Sequence, residues 1–306
     1  MKILSFDCHE SLLTAWAMLG HEIHLLPYKK EWAWNVLKRP VPENVKLLPE
    51  GFVPDYKTYN LGVAFNEHTQ LPQVRAWGIP YICSFASLAN IRDKDKLAGE
   101  KLFFCGHEQK RYYQGKYGAN IQGEVIYYPV DLDEFSGYVG DNCRILSTIN
   151  YFGQACNRVP RGYDWAYKIT SGLGYDNWGW SLETGPVQFP KPKDYLHLKD
   201  LYKFYAVYLD PVIASPMSMS NIEAMATGMP LVTRPHDDWT QIIENGHNGI
   251  ISFCDDIIRS EMKWLMSDAD YRKKIGEHGR ETIRDLFSVE LWKEKWNKVF
   301  SEMGLI

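Results

Sequence analysis

The chain reads as α/β: two doubly wound domains of parallel sheet, helices on both faces of each, with a cleft between them. Three observations predict this. Short apolar runs alternate with segments of helical period along most of the chain, as parallel strands joined by helical crossovers require. The length, 306 residues, suits about two domains. The alternation also stops and restarts once, near 136–142, where an acidic, glycine-containing stretch follows "VIYYPV" and "RILSTIN" opens a new strand.

Taken in chain order, "MKILSFD" is a buried strand, "SLLTAWAML" a helix ended by Gly20, and "HEIHLLP" a second strand. This is a Rossmann-like opening without its glycine fingerprint: "DCHES" stands at the first turn, which argues against a dinucleotide-dependent oxidoreductase. "YKKEWAWNVLKRPVPENVKLLPEGFVPD" predicts a helix and then a long surface loop. "NLGVAFNEH" and "GIPYICSFAS" are further strands, and "KLFFCGHEQKRYYQGKYG" is a strand followed by a helix. Beyond the boundary, "YDWAYKITSGL" and then "LKDLYKFY" are helices and "AVYLDPV" a strand, followed by a helix from about Ser220 to Thr227, the strand "PLVTR" and the helix "DDWTQIIENG". Two amphipathic helices, "DDIIRSEMKWLM" and "DYRKKIGEHGRETIRDLF", precede a tail that sets Leu291, Trp292, Trp296, Val299, Phe300 and Met303 on one helical face.

Composition removes several classes. Formal net charge is −4 and the first 138 residues hold near-equal basic and acidic numbers, so the chain lacks the basic footprint of a duplex-binding protein. Six cysteines without a CxxC pair argue against a zinc ribbon or a disulfide framework and for a reducing cytoplasm. No apolar run approaches the roughly 20 residues of a membrane span, and the N-terminus does not read as a signal peptide. Contact with a membrane is expected to be peripheral at most. "KKEWAWNVLKR" is the segment for it, although a solvated helix accounts for the same residues.

In doubly wound sheets ligands bind beyond the carboxyl ends of the strands, so the β-α turns are where chemistry is expected. "NIEAMATGMP", 221–230, is the densest such stretch. Gly228 can take the left-handed position that ends a helix and Pro230 prevents its continuation. The free N–H groups of the first turn, at Met219 to Ile222, and the positive end of the dipole then suit a pyrophosphate. Glu223 has two readings: with Ser220 it forms a capping box, or it belongs to a ligand site at the helix start.

Four motifs in register carry a family resemblance. "VIYYPVDLDEF" is similar to "viPNGVDxxxF", "IEAMATGMPLVT" to "LEAMAxGxPVVA", "IIENGHNGII" to "iVxxGxNGll", and "YRKKIGEHGRETIRDLFSVELWKEKW" to a pair of closing helices. From about 124 to 300 the chain resembles the donor half of the GT-B glycosyltransferases, specifically the retaining family 4 group (glycosyl transferases group 1). The resemblance is weaker over 1–123. It implies an acceptor-side Rossmann-like domain over 1–138, a nucleotide-sugar donor domain over 139–285, and a helix over 286–306 that crosses back to the first domain. It also implies transfer of a sugar from a nucleotide diphosphate sugar to an acceptor hydroxyl with retention of configuration. A donor phosphate oxygen would take the acceptor's proton, without metal, cofactor or protein nucleophile.

The resemblance places the diphosphate on Ser218, Met219, Ser220 and Asn221 and the nucleotide ribose on Glu223. The cations lie in "NYFGQACNRVPRGYDWAYKI", which Asn150 opens: Arg158 and Arg161-Gly162 stand where the family carries an Arg and a Lys-Gly. Two guanidiniums can fork onto phosphate oxygens. Ser215 occupies the position of a glutamate that faces the transferred sugar, Ala86 that of a sugar-contacting histidine, Asp237-Asp238 that of a glycine pair, and Gln241 that of a further glutamate. His9, Ser215 and Glu223 are therefore the catalytic candidates, and Glu10, His68, Ser84 and His107 the acceptor-side ones. "DKD" at 93–95 and "DLD" at 131–133 match a metal motif of another glycosyltransferase fold, but the first lies in a charged loop and the second in the hinge, so neither is read as a metal site. The acceptor stays open among a glycan, a lipid-linked sugar, a protein and a modified nucleobase. Two alternatives stand beside transfer: a GT-B-fold nucleotide-sugar 2-epimerase, which needs carboxylates that Ser215 does not supply, and a binding module without catalysis, which Ser215 and Ala86 suggest.

Overall fold

The strands pair into two sheets, parallel throughout, in a computed structural model that describes residues 1–29, 33–65, 69–85, 97, 99–118, 121–153, 161–180 and 188–306. Two units result: Met1–Pro129 together with Val289–Ile306, and Val130–Ser288.

The first unit runs β1 (Lys2–Phe6), α1 (Glu10–Ala17), β2 (Glu22–Leu26), β3 (Val45–Leu47), β4 (Leu61–Ala64), α2 (Leu71–Ala76), β5 (Tyr81–Phe85), β6 (Leu102–Phe104), α3 (His107–Tyr117) and β7 (Glu124–Val125). Its sheet order is β3-β2-β1-β4-β5-β6-β7, so the winding reverses between β1 and β4. The central strands are buried on both faces, which explains why "LGVA" is a continuous apolar run and why the one polar residue of "ILSF", Ser5, donates its hydroxyl to the Val63 carbonyl. The predicted helix in "KKEWAWNVLKR" is corrected by the structure: residues 33–39 form turns. Two carboxylates of the first β-α turn hold the backbone there, Asp7 accepting from the Trp34 N–H and Glu10 from the Asn35 N–H, and such side-chain partners replace helical hydrogen bonds. The short strand β3 emerges from the predicted surface loop because β2 offers it a paired edge.

The second unit runs β8 (Asn142–Ser147), α4 (Tyr163–Ile169), β9 (Tyr175–Asn177), α5 (Tyr195–Phe204), β10 (Tyr205–Asp210), α6 (Met219–Thr227), β11 (Leu231–Thr233), α7 (Trp239–Ile242), β12 (Ile250–Ile251), α8 (Asp255–Ser267) and α9 (Ala269–Phe287). The order β12-β11-β10-β8-β9 reverses between β8 and β10. That switch point is where an open α/β sheet receives a ligand. The unit begins at Val130, earlier than the sequence boundary of 138/139. Val130 donates to the Phe287 carbonyl, Phe135 packs on Tyr195 and Tyr202, and the Tyr138 hydroxyl donates to the Ala206 carbonyl, so 130–138 is built into this core.

The last helix, α10 (Val289–Glu302), belongs to the first unit. Trp292, Trp296, Val299 and Phe300 are its buried face. The Trp296 ring lies 4.5 Å from Trp16 of α1 and 4.7 Å from Phe103 of β6, between centroids. Among the described residues no helix is long and apolar enough to cross a membrane.

Candidate functional site

Helix α6 is pinned as its sequence requires. Gly228 takes φ 98°, ψ 14°, its N–H donates to the Met225 carbonyl and the next N–H, of Met229, to that of Ala224, which together form a Schellman stop. Arg280 of α9 adds a cation at this end, reaching the carbonyls of Ala226, Phe135 and Leu132.

The other end carries the interest. Ser218, not Ser220, is the N-cap, so the capping-box reading of Ser220 and Glu223 fails: Ser220 already lies inside the helix and bonds the Ser218 hydroxyl at 2.8 Å. The expected row of free N–H groups is also shorter. Those of Asn221 and Ile222 donate to the Ser218 carbonyl, and those of Met219 and Ser220 have no partner among the described residues. Glu223, 3% exposed, turns into the protein and accepts from the Tyr202 hydroxyl at 3.1 Å. Burial, and then the charge of Glu223, push the Tyr202 pKa far up, so this hydroxyl stays a donor. Thr148, just past β8, joins the Tyr202 and Tyr208 hydroxyls.

Beneath the first turn of α6 lies a charged cluster that joins Ser215, Asn221 and Asp237 to two residues not marked by the sequence, Asp210 and His236. Asp210, the last residue of β10, is buried and accepts from Asn221 Nδ2, from the Val212 N–H at 3.0 Å and from His236 Nε2 at 3.1 Å. His236 Nδ1 faces Asp237 Oδ2 at 3.0 Å, and the same oxygen accepts from the Ser215 N–H at 2.6 Å. Burial disfavours a charged imidazole, but the two carboxylates outweigh it and raise the His236 pKa to about 9. Burial likewise opposes ionisation of Asp210, and the bonds from His236 and Asn221 hold its pKa below the usual range. A faint signal existed: "RPHDDW" sets three polar residues directly after an apolar strand.

Arg161 completes the group. Its guanidinium is half-buried, feels Asp210 and Tyr208, and makes no hydrogen bond among the described residues; burial draws its pKa down against the pull of Asp210. Gly162 follows at φ 68°, where an added Cβ would stand 1.8 Å from the Pro211 carbonyl oxygen, so only glycine lets this turn lie against the end of β10. The structure thus brings Arg161, Gly162, Ser215, Ser218, Met219, Ser220 and Asn221 to the carboxyl end of β10. Asn150 is engaged otherwise, accepting from the Trp180 N–H at 2.9 Å. Arg158 lies outside the described residues.

In the first unit the candidates diverge. His9 takes φ 67° at the N-cap of α1, a conformation rare for a side chain bearing a Cβ, and is exposed at the end of β1. Glu10 is buried and spoken for by the Asn35 N–H and by Lys38 at 3.3 Å. Ser84 is buried in β5, and His107 is exposed at the start of α3 with its ring edge-on to Tyr127. His68 and Ala86 lie outside the described residues. Asp7, which the sequence analysis passed over, shares the β1 turn with His9, and burial raises its pKa.

Residues 181–282 match the family described as glycosyl transferases group 1. An uncharacterized glycosyltransferase of Methanocaldococcus jannaschii is 23% identical over 209 residues, 66% of this chain and 45% of that protein. The chain therefore spans about half the length of this curated relative. Sucrose-phosphate synthase from Thermosynechococcus elongatus superposes with a TM-score of 0.74 at 14% identity, over 99% of both chains. Anabaena HepE in complex with UDP-glucose does so with 0.68 at 13% identity, over 99% of this chain and 100% of that one. Two parallel α/β sheets, structural neighbours that are GT-B glycosyltransferases, and the group 1 match in the second unit make this a chain of GT-B fold that resembles the glycosyl transferases of group 1.

Proposed function

We propose that the protein transfers a sugar from a nucleoside diphosphate sugar to an acceptor hydroxyl, with retention of configuration and without a metal ion. The observation that carries this reading is what meets at the end of β10: the Arg161-Gly162 turn lies against the Pro211 carbonyl, and Asn221 from the first turn of α6 donates to Asp210. A guanidinium and a helix N-terminus with two N–H groups that have no partner among the described residues thereby lie at the switch point of the second sheet. Positive charge from a side chain and a dipole suits a departing diphosphate and can do the work of a divalent cation. Glu223, oriented by Tyr202, is assigned to the ribose hydroxyls. Complexes of HepE with UDP and with UDP-glucose support a nucleotide sugar as the ligand class.

The test is a panel of UDP-glucose, GDP-mannose and ADP-glucose, each beside its nucleoside diphosphate, read by thermal shift and then by release of diphosphate in the presence of EDTA. A donor at about 100-fold its Kd adds roughly 2.7 kcal/mol of stability. Stabilisation by one donor with release of its diphosphate supports transfer; stabilisation without release under any acceptor makes the chain a binding module; no stabilisation by any member overturns the reading.

A further inference from the structure

Asp237 has more chemistry than its place in the fold requires. It sits in the turn after β11 with φ 44°, a left-handed conformation that a side chain bearing a Cβ keeps only where its surroundings hold it. Its Oδ2 is doubly engaged, by His236 Nδ1 at 3.0 Å and by the Ser215 N–H at 2.6 Å. Its Oδ1 has no hydrogen bond among the described residues, and 13% of the side chain reaches the surface. His236, itself fixed by Asp210, therefore locks one carboxylate oxygen and leaves the other presented. What it is presented to follows from the neighbours. The loop from Ser215 to Ser218, which bends through Met217 at φ 98°, leads from Asp237 straight into the N-terminus of α6.

Resting on the diphosphate reading of α6 and Arg161, we propose that Asp237 is the carboxylate that contacts the transferred sugar. The presented Oδ1 accepts from hydroxyl groups of a hexose joined to the outer phosphate. The Ser215 N–H donates to this aspartate, so the carboxylate is fixed beside the loop that runs into α6. His236 and Asp210 act as positioning residues for it. Ligand specificity follows: Asp237 favours donors with a neutral, hydroxyl-rich sugar and disfavours uronic acids, whose carboxylate would oppose it.

The experiment separates the sugar from the nucleotide. Donor and matching nucleoside diphosphate, chosen as whichever pair of the panel stabilises the parent most, are titrated into the parent, Asp237→Asn and Asp237→Gly. Asparagine tolerates the left-handed turn nearly as well as aspartate and glycine takes it freely, so neither variant is penalised for its backbone. The expected result is that diphosphate affinity stays within about twofold while nucleotide-sugar affinity falls roughly ten- to hundredfold in both, the size of one hydrogen bond to a charged group. Ser215→Glu added to Asp237→Gly is expected to recover at least part of that loss, which a merely structural aspartate would not allow. Equal loss of diphosphate and nucleotide sugar, or unchanged affinity for both, overturns the assignment while leaving the diphosphate site standing. Failure of the parent to bind any member of the panel overturns both.

Discussion

At the residue scale, Glu223 shows how one acid can look like a cap and be something else. The spacing from Ser220 suits a capping box, but the helix starts a turn-fraction earlier, at Met219, and the carboxylate is drawn inward by Tyr202. Glu223→Gln at matched folding is expected to weaken nucleoside diphosphate binding by more than twofold, measured by calorimetry; unchanged affinity would leave Glu223 a structural acid only. Glu223→Ala is expected to cost about 1–3 kcal/mol of stability in addition, because the buried Tyr202 hydroxyl loses its charged partner and keeps only Thr148. His236 supports a prediction with a definite sign. Its folded pKa, about 9, stands above its ordinary 6.5, so its contribution to stability is complete below pH 6.5 and disappears as pH rises through about 9. The facing charges are Asp210 and Asp237, with Arg161 acting on Asp210. Melting temperatures of the parent should decline across that window, and those of His236→Asn should decline less; parallel curves would remove His236 as the titrating group.

At the element scale, α6 is decided by its two ends. Its C-terminal stop was legible, because Gly228 and Pro230 act locally and need no partner. Its packing was not: Gly276 of α9 lies so close that an added Cβ would stand 1.9 Å from the Gly228 carbonyl oxygen. Gly276→Ala is expected to destabilise the second unit by about 1–3 kcal/mol, seen in chemical denaturation, and a neutral result would show that α9 can shift outward freely. The segment 33–39 makes the opposite case. Its residues suit a helix, yet Asp7 and Glu10, distant in sequence, take its N–H groups. Local propensity lost there to side-chain acceptors that only the fold supplies.

At the scale of the whole molecule, the chain leaves its first unit at Pro129 and returns to it at Val289. The amphipathic tail therefore completes a core begun by the first helix, with Trp292 and Trp296 against Trp16. Trp296→Ala is expected to cost about 3–5 kcal/mol, with near-ultraviolet circular dichroism reporting loss of the first unit's packing ahead of the second's. A single transition unchanged in midpoint would show that α10 adds nothing to that unit.

The sequence by itself determined the class of fold, the strand-helix alternation, the C-terminal end of α6 and the stretch that resembles a donor domain. All of these depend on neighbours in the chain: periodicity, a glycine, a proline. Tertiary structure alone decided that Asp210, Asn221, His236, Asp237 and Ser215 form one network under the helix tip. Those five residues come from the end of one strand, the turn after the next, and the loop and helix between them, and no local pattern records that a parallel sheet lays its strand ends side by side.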